Sequence, residues 1–171
     1  MLHYIEEKAR DGLIEYTSII TGGLAEFAIT SEFYGINFKD RVFHRIGDGT
    51  KPITFTALPD VGKFTVEVLL NPELTKNQEV YTASYTCNYV SLIEELEKET
   101  GEKFTIIEAT PEEQIAQGFP EPLVQMRTML LDGRGVTDRG GFQLWNDKFP
   151  HVKPMTLSEV VKKAVSELKK L

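Results

Sequence analysis

The chain has 171 residues, 41% hydrophobic and 26% charged, which is one domain's worth of core over residues 1–171 and a soluble composition. A formal net charge of −7 argues against general nucleic-acid or anionic-membrane binding, since both reward clustered Lys and Arg. No apolar run approaches a membrane span, residues 1–12 lack a signal peptide's apolar core, and the single cysteine, Cys87, excludes an intrachain disulfide, so a cytoplasmic location is expected.

In chain order, His3 to Arg10 reads as a short helix and Ile14 to Thr21 (IEYTSIIT) as a strand running into Gly22-Gly23. Ile14, Tyr16, Ile19 and Ile20 put bulky groups on both faces of that strand, the pattern of a covered parallel sheet. The strand at Glu79 to Ala83 supplies one neighbour; the other edge is expected to stay open and to invite self-association. Gly47-Asp48-Gly49 is a turn, and Pro52 opens a strand in which Ile53, Phe55 and Ala57 alternate with Thr54, Thr56 and Leu58, one face buried and the other partly so. Asp60, after Pro59, is placed to accept from the free amides of a helix over Val61 to Leu70. Asn77 to Ser84 reads as a strand and Tyr85 to Gly101 as a helix closed by glycine, with Val90, Ile93 and Leu96 as its apolar stripe.

Beyond residue 110, Pro111-Glu112-Glu113 starts a short helix, Gly118 to Pro122 breaks it, and Leu123 to Leu131 makes another with Val124, Met126, Arg127 and Leu130 on its turns. Residues 132–154, with Gly133, Gly135, Gly140 and Gly141, read as a long loop or lid around Phe142 and Trp145. A terminal helix over 156–171 begins with a Thr156/Glu159 capping box and carries Lys162, Lys163, Lys169 and Lys170 as a solvated face.

Most chemistry finds no anchor. His3, His44 and His151 have no partners at helical metal-ligand spacing, so no metal is expected. Cys87 reads as a small buried or half-buried residue rather than a nucleophile. No Gly-x-Ser-x-Gly elbow occurs. Gly47-x-Gly49 meets Pro52 where a dinucleotide loop needs its third glycine, and Gly62-Lys63 is followed by Phe64, which has no hydroxyl for a Walker loop.

The order from helix through strand to Gly22-Gly23, and above all the stretch Gly47 to Gly62 (GDGTKPITFTALPDVG), resembles NmrA-like and isoflavone-reductase-like proteins, atypical short-chain dehydrogenase/reductases; the resemblance covers about residues 3–110. It implies an α/β fold in which a partial Rossmann-like parallel sheet, made of the last strands, joins a substrate-side α+β region, the N-terminal dinucleotide-binding half being absent. The chain is thus expected to be a truncated, substrate-side part of an NAD(P)H-linked oxidoreductase, or of a relative that binds the dinucleotide as a redox signal. Tyr4 and Lys8 match Tyr-x-x-x-Lys, but Lys8 lies only thirteen positions before Thr21, and alignment on that strand end puts the family's lysine just upstream of Met1. Both are therefore read as ordinary residues of an amphipathic helix, and no catalytic residue is assigned. In the family, Thr21, Gly22, Gly23 and Leu24 border the nicotinamide and the substrate, and a glycine pair lets a flat ring approach the backbone. Glu26, Phe27, Phe33 and Tyr34 are candidates to line the substrate cleft, with Trp145 in the region that closes over it. NADP is the family's cofactor, and this chain alone is expected to bind none. Two readings stay open: an enzyme portion inactive by itself, and a noncatalytic module binding a small molecule or protein partner.

Overall fold

The computed structural model describes residues 2–137 and 142–170; Met1, residues 138–141 (among them Gly140 and Gly141 of the expected long loop) and Leu171 lie outside the described residues. The chain begins with α1 (Leu2–Arg10), β1 (Thr17–Ile20), β2 (Gly23–Leu24), α2 (Ala25–Thr30) and a 3-10 turn (Glu32–Tyr34), followed by β3 (Ile36–Asn37), β4 (Val42–Arg45) and β5 (Ile53–Thr56). It continues through α3 (Leu58–Leu70), α4 (Pro72–Thr75), β6 (Gln78–Tyr81), β7 (Tyr85–Cys87), α5 (Tyr89–Thr100) and β8 (Thr105–Glu108), and ends with α6 (Pro111–Ala116), α7 (Glu121–Met129) and α8 (Leu157–Leu168).

β1 pairs with β6 in parallel, Thr17 opposite Gln78 through Ile20 opposite Tyr81, so the strand expected as its neighbour is its neighbour. Among the described residues β1 pairs with no strand on its other side. β5 lies between β2, parallel to it, and β7, antiparallel to it. All four β5 residues are buried, so it is a central strand rather than one covered partly on its second face. Its threonines are tolerated there because their hydroxyls are bonded: Thr56 Oγ1 donates to Thr21 O at 2.6 Å, and Thr54 Oγ1 accepts from Thr137 N at 3.2 Å. A third sheet, β3-β4-β8, was not foreseen; it buries Ile36 and Phe43.

The helix expected over Tyr85 to Gly101 divides. Tyr85, Thr86 and Cys87 extend to pair with Phe55, Thr54 and Ile53, and the Asn88 side chain accepts from Ser91 N at 2.9 Å to start α5. α5 buries Tyr89, Leu92, Ile93 and Leu96, which leaves Val90, expected in the apolar stripe, 38% exposed. The Gly47-Asp48-Gly49 turn forms with positive φ at both glycines (66° and 72°), and Asp48 Oδ1 accepts from Thr50 N at 2.9 Å. The Thr156/Glu159 capping box is present, and Thr110 with Glu113 forms another before α6.

Two hydrophobic clusters hold these layers. The larger joins α2 (Ala28, Ile29), α5 (Leu92, Leu96) and α8 (Val160, Val161, Ala164, Val165) to β5 and β4. The smaller sets Phe64 and Val68 of α3 against Val80 of β6 and Phe149, with Ile19, Trp145 and Val152 around them. Within 132–154 the described backbone carries structure of its own: α7 runs into a π-helical turn (Leu130–Arg134), Leu144 forms a parallel bridge to Tyr81, and Asn146–Lys148 is a 3-10 turn.

Candidate functional site

The site predicted at Thr21 to Leu24 forms where β1 ends and β2 meets β5. At Gly22 (φ +66°) an added Cβ would stand 2.6 Å from Thr54 O, and at Gly23 it would stand 2.9 Å from the Phe55 ring and 3.0 Å from the Tyr34 hydroxyl. The glycine pair is therefore required by close packing of this chain on itself. Gly23 leads into Leu24, whose amide donates to the Tyr34 hydroxyl; burial of Tyr34 outweighs that bond and raises its phenol above the usual range, so it is a neutral group at physiological pH.

Phe27, Phe33 and Tyr34 are brought together. The Phe27 and Phe33 rings lie 5.5 Å apart and those of Phe33 and Tyr34 5.4 Å apart, edge-on; the chain of rings continues to Phe55 at 5.9 Å. Phe27 and Phe33 are 45% and 40% exposed, so with Leu24 they form an apolar surface beside the glycine pair. Their support comes from Arg127, a buried guanidinium that sequence reasoning treated only as a helix-turn residue. Its Nε donates to Phe33 O at 3.0 Å, Nη2 donates to Glu32 O, and Nη1 donates to Gln114 Oε1 at 3.0 Å, with the Phe119 ring 4.8 Å below it. Desolvation lowers its pKa from the arginine value.

Glu26 turns inward instead of lining the cleft. Its Oε2 accepts from Leu58 N at 2.8 Å, and its Oε1 is 4.0 Å from Lys163 Nζ, which thereby leaves the purely solvated lysine face expected of α8. Glu26 thus satisfies the first amide of α3, the role assigned to Asp60. Asp60 lies inside the first turn of α3 and is fully buried. Its Oδ2 accepts from Ser84 Oγ at 2.6 Å and from Met155 N at 2.7 Å, and its Oδ1 from Lys63 Nζ at 2.7 Å. Burial alone would raise its pKa, but those three donors outweigh it and hold the carboxyl below the usual range. No sequence spacing foretells partners 24 and 95 positions away.

Trp145 is not brought to the three aromatics. It packs at 6.3 Å against Phe149 in the smaller cluster, and its amide donates to Tyr81 O at 2.7 Å. Cys87 is half-buried in β7, and burial pushes its thiol up to about 12. Tyr4 is 64% exposed on α1 with the Lys8 ammonium 5.5 Å from its ring centroid, a surface pair. Among the described residues no group of three or more His, Cys, Asp or Glu is arranged to hold a metal ion, and no helix is long and apolar enough to cross a membrane.

Fold and site together define an α/β protein with part of a Rossmann-like parallel sheet beside a helical, aromatic-rich region. No family model matches the chain. A curated protein, an NmrA-like family domain-containing oxidoreductase from Gibberella moniliformis, is 27% identical over 132 residues, covering 74% of this chain. Among solved structures, the binary complex of leucoanthocyanidin reductase and NADPH from Vitis vinifera matches 96% of this chain with a TM-score of 0.74 at 20% identity. Isoflavone reductase matches 95% with a TM-score of 0.73 at 19% identity. The chain is thus similar in sequence to an NmrA-like oxidoreductase and shares the fold of the isoflavone-reductase-like structures. It spans 43% of the length of the Gibberella protein and 59% and 56% of the two reductases.

Proposed function

We propose that the chain acts as the C-terminal, substrate-side portion of an NmrA-like NAD(P)-dependent oxidoreductase and does not turn over substrate by itself. The observation that carries this reading is the share of its relatives that it spans, 43% of the Gibberella oxidoreductase and 59% of the NADPH-bound reductase, combined with a sequence without a glycine-rich dinucleotide loop. Thr21, Gly22, Gly23 and Leu24 border the nicotinamide, and Phe27, Phe33 and Tyr34 give a small-molecule substrate an apolar wall; Trp145, packed against Phe149, stands outside that wall. NADP is the cofactor of the whole protein, whose place is the cytoplasm, and residues 1–171 form one domain. The unpaired edge of β1 associates with a second copy. A noncatalytic binding module is favoured by one specific observation: the space beside Gly22 and Gly23 is filled by Thr54 O and the Phe55 ring, so the pair serves packing without any bound ring.

Calorimetric titration of the purified chain with NADPH tests the main reading. No heat of binding is expected; saturable binding at micromolar concentration overturns it. Sedimentation velocity tests the edge: a concentration-dependent dimer is expected, and a monomer at every concentration removes that part alone.

A further inference from the structure

A cleft of about 460 Å³ opens on the face carried by α1, β6 and the 142–148 segment, away from the aromatic surface described above and independent of the function proposed for it. That volume falls in the range of small-molecule sites. Its walls are aromatic. Phe142 stacks on Tyr81 at 4.7 Å with the planes 20° apart and is 49% exposed, so its outer face is free to take another flat group. The segment is fixed in place by the Leu144 bridge to Tyr81 and by the bond from Trp145 N to Tyr81 O. Trp145 shows what its ring face attracts: the Lys148 ammonium lies 3.5 Å from the ring centroid.

The charges define the ligand's sign. Of the described residues lining the cleft, Lys148 is the one cation and Glu6 and Glu79 the two carboxylates. Glu79 Oε2 accepts from the Tyr81 hydroxyl at 2.6 Å and keeps its other oxygen for a further donor, while Glu6 faces the exposed His3 imidazole at 3.8 Å. Lys148 is exposed and tethered by a short turn, so its ammonium can withdraw to solvent and yield the ring. Once it withdraws, the cleft presents an aromatic face and two negative charges.

We propose that this cleft binds an organic cation with a flat apolar body, the ammonium lying on Trp145 in the position now taken by Lys148 and the flat body lying on Phe142.

Trp145 is the only tryptophan, so its emission reports on this cleft alone. The probe is benzyltrimethylammonium, compared with tetramethylammonium, benzyl alcohol and phenylacetate in titrations of the full chain. Benzyltrimethylammonium is expected to change the emission saturably and at lower concentration than the other three. Lys148→Met, which removes the internal competitor at an exposed position, is expected to tighten that binding about two- to five-fold. Glu79→Gln, which retains an acceptor for Tyr81, is expected to weaken it about two- to five-fold, and Phe142→Ala to erase the advantage over tetramethylammonium. The proposal is overturned if benzyl alcohol or phenylacetate binds as tightly, if no probe saturates, or if Lys148→Met leaves the affinity unchanged or weakens it.

Discussion

Asp60 carries the junction between β5, β7 and the entry to α8, and its replacement gives the sharpest test of how the fold is held. Oδ2 receives two partly buried hydrogen bonds, from Ser84 Oγ and Met155 N, and Oδ1 receives Lys63 Nζ, whose side chain is 47% exposed. A hydrogen bond to a charged acceptor contributes about 1.5–3 kcal/mol, and a pair with a half-exposed lysine at most about 1 kcal/mol. Asp60→Ala therefore costs about 3–7 kcal/mol, a large part of the ~5–15 kcal/mol that holds a domain folded. Asp60→Asn keeps an oxygen for Ser84 and Met155 but halves the strength of both bonds, a loss of about 2 kcal/mol. With a urea m-value of about 2 kcal/mol/M, the midpoint moves down by about 1 M for the asparagine variant. The contribution also has a pH signature. The folded pKa of Asp60 lies below its unfolded value of about 3.9, so its stabilisation is complete above that pH and is lost as pH falls through the folded value. The gap between wild type and Asp60→Asn should be full at pH 7 and narrow below about pH 4. Lys63→Met should move the midpoint by less than about 0.5 M. Equal midpoints for wild type and Asp60→Asn, or a gap of the same size at pH 7 and pH 3, would refute this account.

The glycine pair gives a graded expectation: Gly23→Ala, whose methyl meets the Phe55 ring at 2.9 Å, should lose about 1–3 kcal/mol in thermal or urea unfolding. Gly22→Ala should lose more, because it adds a positive φ and a backbone oxygen at 2.6 Å to the same crowding; a neutral result at both positions would mean that β2 shifts freely. Cys87, with its thiol held near 12, should react with a disulfide reagent at pH 8 far more slowly in the folded chain than in urea, and equal rates would contradict its burial in β7.

Elements with a local cause were legible. The Gly47-Asp48-Gly49 turn needs only its own residues and the Thr50 amide, and the Thr156/Glu159 box closes within one helical turn; the neighbour of β1 was also legible, but the strand begins at Thr17, none of its residues is fully buried, and Ile14 is 42% exposed outside it. Tyr85 to Cys87 was misread because its polar, turn-like composition resembles a helix entry, while pairing with Ile53 to Phe55 decides its conformation. The short strands β3, β4 and β8 have little periodicity of their own and exist through one another. At the candidate site, Gly22-Gly23 and the grouping of Phe27, Phe33 and Tyr34 are compact in sequence and were visible there. The inward turn of Glu26 toward Leu58 and the junction at Asp60 were not, since each is completed by backbone amides from distant segments.

Arg127 also joins distant parts of the chain. The carbonyls it grips at Glu32 and Phe33 precede it by 95 and 94 residues, and Gln114, its other anchor, precedes it by 13. Helices α6 and α7 can meet through local contacts, whereas the bonds from Arg127 to the turn that presents Phe33 close a loop of more than half the chain. The ring contacts of Phe27, Phe33 and Tyr34 are local, but the donor beneath them comes from the far half of the sequence, so the support of the aromatic surface ties residues 32–34 to α7.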